Sequence, residues 1–134
     1  MVAYNFQRQF WLPIRAGTKR QTVRAHRKRH AHIGEPIQLY GGMRTKQCEK
    51  LIPDPFCIGI DDIVIRLQQA AAGTHMWVEI NGCPLDEAEV ASFAKADGFL
   101  SAPEFGHFWL KTHGPGTFEG VVIRWGTEDQ VPSS

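Results

Sequence analysis

Two helix starts stand close together late in a chain whose other apolar segments are short and punctuated by glycine and proline, and that arrangement leaves few folds open. Asp86 and Glu89 have capping-box spacing, as do Ser101 and Glu104, with Pro103 in the first turn of the second helix. In each box an oxygen at the cap takes a free backbone N–H while a carboxylate reaches back. Val90, Phe93 and Ala94 form an apolar stripe after the first start, and Phe105, Phe108, Trp109 and Thr112 share a face after the second. The first helix ends at Asp97-Gly98 and the second near His113-Gly114-Pro115. Strand patterns flank this pair on both sides, so helices and strands are segregated and the class is α+β.

Upstream, Ala3 to Phe10 alternates as a first strand, and Trp11 to Ala16 reads as a short helix ended by Gly17. Lys19 to Arg24 reads as a strand, Arg27 to His32 as a basic loop, and Pro36 to Tyr40 as the next strand. Pro53-Asp54-Pro55 argues against a central strand between Lys46 and Cys57. Ile58 to Leu67 and Met76 to Ile80 are strands, and Asn81-Gly82 is a tight turn onto Cys83 to Leu85. Phe118 to Trp125 is apolar on both faces and is expected at the centre of its sheet. Residues 1–126 form one domain and residues 127–134 a polar tail; the pattern leaves open whether the long span from Gly41 to Trp77 is an extra hairpin or a loop.

With 134 residues and 43% hydrophobic content the chain can bury a core of its own. No apolar run is long enough for a membrane span, and Arg8 and Arg15 interrupt the only candidate for a leader, so a cytoplasmic protein with no membrane partner is expected. Cys48, Cys57 and Cys83 are odd in number and widely spaced, which fits neither a disulfide framework nor a zinc site. The net charge of +1 hides an asymmetry. Residues 1–50 carry eleven Lys and Arg against Glu35 and Glu49, a net of +9, leaving four against twelve, or −8, for the rest. Arg24 to His32 contains no acid, and this composition suits a phosphate backbone, with His26, Arg27, Lys28, Arg29 and His30, together with Arg20, as the candidate RNA contacts. The alternative is a solvated loop neutralised by the acidic half. A metal on His26, His30 and His32 would be repelled by the cations among them, so neither metal nor other cofactor is expected. Histidines in such a loop also suit acid and base roles in cleaving RNA.

The octet Gly17-Thr18-Lys19-Arg20-Gln21-Thr22-Val23-Arg24 bears the chemistry. On a strand Thr22 and Arg24 share a face, and Gly17 lets the chain bring Lys19 back toward them, placing an amine beside a hydroxyl. A neutral lysine can take the proton of a threonine nucleophile in amide hydrolysis, with Arg24 or backbone amides holding the oxyanion. Burial beside Arg24 would lower the lysine's pKa and a nearby carboxylate would raise it. Tyr40, at a strand exit before Gly41-Gly42, is the aromatic best placed at a pocket mouth. Trp11, Trp77, Trp109 and Trp125 read as core, and His107 and His113 as the outer face of the last helix.

Gly17, Lys19, Thr22 and Arg24 also match the Gly-x-Lys-x-x-Thr-x-Arg signature of the ASCH family, and the order of elements resembles that family over most of residues 2–125. The resemblance implies a PUA-like mixed β-barrel flanked by short helices. Relatives include presumed RNA-binding domains, ribonucleases and an amidohydrolase that deacetylates N(4)-acetylcytidine. By resemblance to the last, Lys19 and Thr22 are catalytic, together with a carboxylate near the joint of the late helices. That position falls on Asp97, where the family enzyme has glutamate; the missing methylene shortens the reach by about 1.5 Å. Glu104 is the alternative. The function expected is therefore nucleoside or RNA binding, as an amidohydrolase, a non-catalytic RNA-binding module or a metal-independent ribonuclease.

Overall fold

Val2, Tyr4 and Phe6 alternate into the core along β1 (Val2–Phe6), the two-residue period of a strand with one buried face. The computed structural model describes residues 2–133. The first strand is shorter than its pattern suggests, because the Trp11 indole donates to the Phe6 carbonyl at 2.9 Å and the chain tightens into a 3-10 turn over Arg8–Phe10. Helix α1 (Trp11–Ala16) follows and ends as expected at Gly17, whose φ of 79° is the left-handed conformation that glycine adopts at least cost. The Thr18 and Lys19 N–H groups both bond back to the Pro13 carbonyl, at 3.0 and 3.1 Å. They are thereby withheld from a ladder, so β2 (Gln21–Ala25) begins two residues later than its sequence pattern. Strand β3 (Ile37–Gly41) runs parallel to β1, with α1 and β2 in the crossover, and β4 (Glu49–Lys50) closes this sheet as β1-β3-β4.

The long span after Gly41 holds β4 and then a hairpin made by β5 (Phe56–Ala70) and β6 (Gly73–Ile80). The Asn81-Gly82 turn leads into β7 (Cys83–Pro84). Helix α2 (Glu87–Ala96) carries the full capping box, with Glu89 N–H to Asp86 Oδ1 at 2.8 Å and Asp86 N–H to Glu89 Oε1 at 3.0 Å. Helix α3 (Ala102–His113) is capped by Ser101, but the Glu104 carboxylate reaches past the cap to the Leu100 N–H at 3.0 Å. Strand β8 (Gly116–Gly126) lies between β2 and β5 in an antiparallel sheet of order β2-β8-β5-β6-β7. Val121, Val122 and Ile123 are buried in succession there, as befits a strand covered on both faces.

Among the described residues the chain is thus α+β, with two sheets and three α-helices. An isolated bridge between Pro36 and Phe56 links the sheets, but among the described residues the ladders do not close into a barrel. The polar tail is not featureless, since Glu128–Gln130 form a 3-10 turn whose Gln130 side-chain oxygen accepts from the Thr127 N–H at 2.9 Å. Aromatic packing sets the position of the helices. Phe105 meets Phe93 and Phe99 at ring-centroid distances of 5.7 and 5.3 Å, and Phe10 meets Phe99 and Phe108 at 5.5 and 5.8 Å. Through Phe10 the segment before α1 is held against the joint of α2 and α3, and the octet is carried there with it. No helix among the described residues is long and apolar enough to cross a membrane. All three cysteines are free; Cys57 is buried, and Cys48 and Cys83 are exposed.

Candidate functional site

Lys19 is only 2% exposed, which for a lysine calls for a partner. Its ammonium donates to the Asp97 backbone carbonyl at 2.5 Å and lies 3.5 Å from Asp97 Oδ1, over the face of Phe10 at 4.6 Å. Gly98 makes this approach possible. It has φ of +96°, and a Cβ there would stand 2.9 Å from Lys19 Cδ. Burial pushes the Lys19 pKa down, against the pull of the Asp97 charge, and Arg24 pushes it down further. Burial likewise pushes the Asp97 pKa up, against Lys19 and the Gln21 amide. Gln21 Nε2 donates to Asp97 Oδ1 at 3.3 Å and so helps to orient the carboxylate. Gln21 lies inside the octet, but nothing in the sequence marks it as part of the site, since a strand glutamine is ordinarily a surface residue.

Thr22 and Arg24 share a face of β2, as their spacing requires, and Arg24 Nε donates to Thr22 Oγ1 at 3.0 Å. Arg24 Nη2 donates to the Asn5 carbonyl at 2.6 Å, and the guanidinium lies over Phe6 at 4.8 Å. Burial, with the nearby charge of Arg27, draws the Arg24 pKa down to about 10, so it remains a cation at neutral pH. The threonine oxygen is held by arginine, while its own hydrogen has no acceptor among the described residues. No hydrogen bond joins Thr22 to Lys19.

Lys19, Thr22, Arg24 and Asp97 line one pocket of about 260 Å³, with walls from Phe10, Phe99, Phe108, Trp109, His113 and Phe118. The volume lies just under the range of roughly 300–1,000 Å³ typical of drug-sized ligands, and the composition, apolar walls with a few convergent polar groups, is that of a ligand site. The site can abstract a proton with a neutral Lys19, stabilise a negative oxygen with Arg24 and stack a flat ring on its aromatic wall. Trp109 Nε1 is buried without a hydrogen-bond partner among the described residues.

The other expected residues lie elsewhere. Glu104 is exposed, spends its carboxylate on the Leu100 N–H, and does not line this pocket, so Asp97 is the carboxylate beside Lys19. Tyr40 is also outside it. The partner of Tyr40 is Lys50, whose ammonium lies 5.8 Å from the ring, because β3 carries Tyr40 into the three-stranded sheet. His113 corrects the outer-face assignment by lining the pocket and stacking on Trp109 at 4.4 Å. Its i, i+4 spacing from Trp109 could have revealed this. Arg20 is exposed and donates to the Gly17 carbonyl. In the basic loop, Arg27 lies over Tyr4 at 4.6 Å and Arg29 pairs with Glu35 at 2.5 Å. His30 Nε2 faces the Ala25 carbonyl at 2.8 Å and Nδ1 faces the Tyr4 hydroxyl at 3.0 Å, so this ring ties the loop to the core. His26 and Lys28 are exposed with no side-chain partner among the described residues. No three His, Cys, Asp or Glu side chains among the described residues gather into a metal-binding cluster.

No family model, no curated protein and no solved structure matches the chain.

Proposed function

We propose that the pocket holds a nucleoside and that the chain, as an ASCH-type domain of PUA-like architecture, hydrolyses an amide on the base, with N(4)-acetylcytidine as the substrate. The observation that carries this reading is the meeting of Lys19, Thr22 and Asp97 in the wall of one aromatic-lined pocket, with the lysine buried against the carboxylate. Burial favours the neutral amine that a general base must be. As substrate binds, Lys19 Nζ closes on Thr22 Oγ1 and takes its proton, since catalytic hydrogen bonds tighten in the Michaelis complex. The threonine oxygen then bonds to the acyl carbon while Arg24 stabilises the oxyanion. Collapse breaks the C–N bond, the Lys19 ammonium returns its proton to the exocyclic nitrogen, and cytidine leaves. Water attacks the threonyl ester, releasing acetate and restoring the hydroxyl. Asp97 acts by holding Lys19.

The test is acetate release from N(4)-acetylcytidine by micromolar protein over hours. Lys19→Ala and Thr22→Ala each abolish it while circular dichroism keeps its wild-type form. A wild type with no turnover above background removes the hydrolase reading for this substrate. A second reading, non-catalytic RNA binding with the octet and basic loop on phosphate, is favoured by the exposed, unpaired Lys28 and His26 in an acid-free stretch.

A further inference from the structure

Two arginines hold the free edge of β1 beside the pocket, and neither has a carboxylate partner. Strand β1 pairs only with β3 among the described residues, and its Asn5 and Ala3 carbonyls accept instead from Arg24 Nη2 at 2.6 Å and from Arg27 Nη2 at 3.4 Å. Residues two apart on a strand are about 7 Å apart, so the two side chains reach β1 as neighbours. Both guanidiniums also lie over the Tyr4 ring, at 5.4 and 4.6 Å from its centroid. That keeps the two charges within roughly one Debye length, about 10 Å, of each other. Neither enters any ion pair among the described residues. Asp97, the one acid among the described residues of the pocket wall, is engaged by Lys19 and Gln21. After burial, the chief influence that lowers the Arg24 pKa is the charge of Arg27, which outweighs the opposing pull of Asp97.

Both guanidiniums keep donors free. Arg24 spends Nε on Thr22 Oγ1 and one Nη2 hydrogen on Asn5, while Arg27 spends Nε on the Arg29 carbonyl at 2.9 Å and one Nη2 hydrogen on Ala3. A guanidinium has five N–H groups, so the rest, Nη1 included, have no acceptor among the described residues. They are open rather than enclosed. Arg27 is exposed, and Arg24 Nη1 is not one of the buried side-chain atoms left without a partner. The Arg24 guanidinium bridges Thr22 and Asn5, both of which line the pocket, so it is part of the wall. Arg27 and Ala3 lie just beyond that lining, one step further along β1.

We infer that this edge is a phosphate subsite, in which Arg27, with Arg24 beside it, takes the phosphate monoester of a nucleotide whose base occupies the pocket. This rests on the nucleoside reading above and narrows its substrate class to a nucleoside monophosphate. Two neighbouring guanidiniums match a group that carries nearly two negative charges and three acceptor oxygens, as a phosphate monoester does at neutral pH. A carboxylate or a phosphodiester brings only one charge. The bound anion also offsets the repulsion between two cations that the fold keeps close. Their bonds to Asn5, Ala3 and Arg29 fix both guanidiniums before the ligand arrives, so little side-chain freedom is lost on binding. Arg24 stays beside the acyl group, and Arg27 makes the direct contact with phosphate oxygens.

The experiment measures dissociation constants by calorimetry for cytidine, its 5′- and 3′-monophosphates and the methyl ester of each monophosphate, with wild type, Arg27→Gln, Arg27→Lys and Lys28→Gln. At least one monophosphate binds the wild type about tenfold to a hundredfold more tightly than cytidine, the effect of a hydrogen bond between charged groups. Its methyl ester, with one charge fewer, keeps only part of the gain. Arg27→Gln removes most of the gain and leaves the cytidine affinity unchanged, which also shows that the pocket is still folded. Arg27→Lys, a charge without the planar fork, restores part of it. Lys28→Gln, which removes an exposed charge from the same loop, leaves the gain in place. A wild type that binds cytidine and both monophosphates equally overturns the subsite while the nucleoside reading stands. A gain lost equally in Arg27→Gln and Lys28→Gln also overturns it, since the attraction is then a diffuse field. Methyl esters that bind as tightly as the monophosphates overturn the monoester in favour of a nucleic-acid backbone. A wild type that binds neither cytidine nor its phosphates removes the nucleoside reading and this inference with it.

Discussion

A lysine and an aspartate buried together pose a question of proton ownership that decides what each residue can do. Burial lowers the Lys19 pKa and raises that of Asp97, while each partner's charge opposes the shift. Because the folded Lys19 pKa lies below its usual 10.5, the native state holds fewer protons than the unfolded chain between those values, and stability rises with pH there. Asp97 has the opposite sign, since above its usual 3.8 and up to its raised pKa the native state holds more protons, so stability falls as pH climbs through that window. Replacing both partners, as in Lys19→Met with Asp97→Leu, removes both slopes from a urea-denaturation series. The double variant is neutral or more stable by about 1–4 kcal/mol, whereas Asp97→Leu alone, at a pH where Lys19 is protonated, costs about 3–5 kcal/mol. In the amidohydrolase reading kcat/KM rises with pH through the lowered Lys19 pKa. Asp97→Asn moves that limb to lower pH, because it removes the chief influence that raises the lysine pKa. A limb unmoved by Asp97→Asn separates the pH dependence from Lys19.

Element boundaries were legible wherever a local hydrogen bond decides them. The Asp86 box is present in full, and Asp86→Ala lowers stability by about 1 kcal/mol in chemical denaturation, with Asp86→Asn restoring most of it because the amide oxygen still accepts from the Glu89 N–H. An Asp86→Ala protein as stable as wild type would mean that the helix is held by packing alone. The limits of α1 and the Asn81-Gly82 turn were equally readable, since each depends on a few consecutive residues. Long-range choices were not. Pro13 takes the N–H groups of Thr18 and Lys19 and delays β2, and the parallel pairing of β1 with β3 has no local signature. The same limit applied to the site. The octet announces Lys19, Thr22 and Arg24 by spacing, but Trp109 and His113 line the pocket through tertiary packing, with Phe10 and Phe99 both against Phe108 of α3.

At the scale of the whole molecule the question is whether the acidic half neutralises the basic one. Among the described residues only Lys19–Asp97 and Lys50–Asp54 pair across the two halves; Arg15–Glu49, Arg29–Glu35, Arg66–Glu79 and Arg124–Asp61 each pair within one. The excess of the first half is therefore not cancelled by close ion pairs. Within the basic loop the cations are unequal. Arg27 is folded over Tyr4 and Arg29 is bound to Glu35, while Lys28 is exposed and unpaired. If the loop contacts RNA, affinity for a single strand falls with salt at a log-log slope near −0.7 per phosphate neutralised. Lys28→Ala flattens the slope by about 0.7 and weakens all sequences alike, since phosphate contacts position without specifying. Arg29→Ala flattens it less, because Arg29 must first give up Glu35. Fluorescence anisotropy against salt with two unrelated single-stranded RNAs measures this, and a slope that Lys28→Ala leaves unchanged makes the stretch a solvated face, with whatever RNA affinity exists lying elsewhere on the molecule.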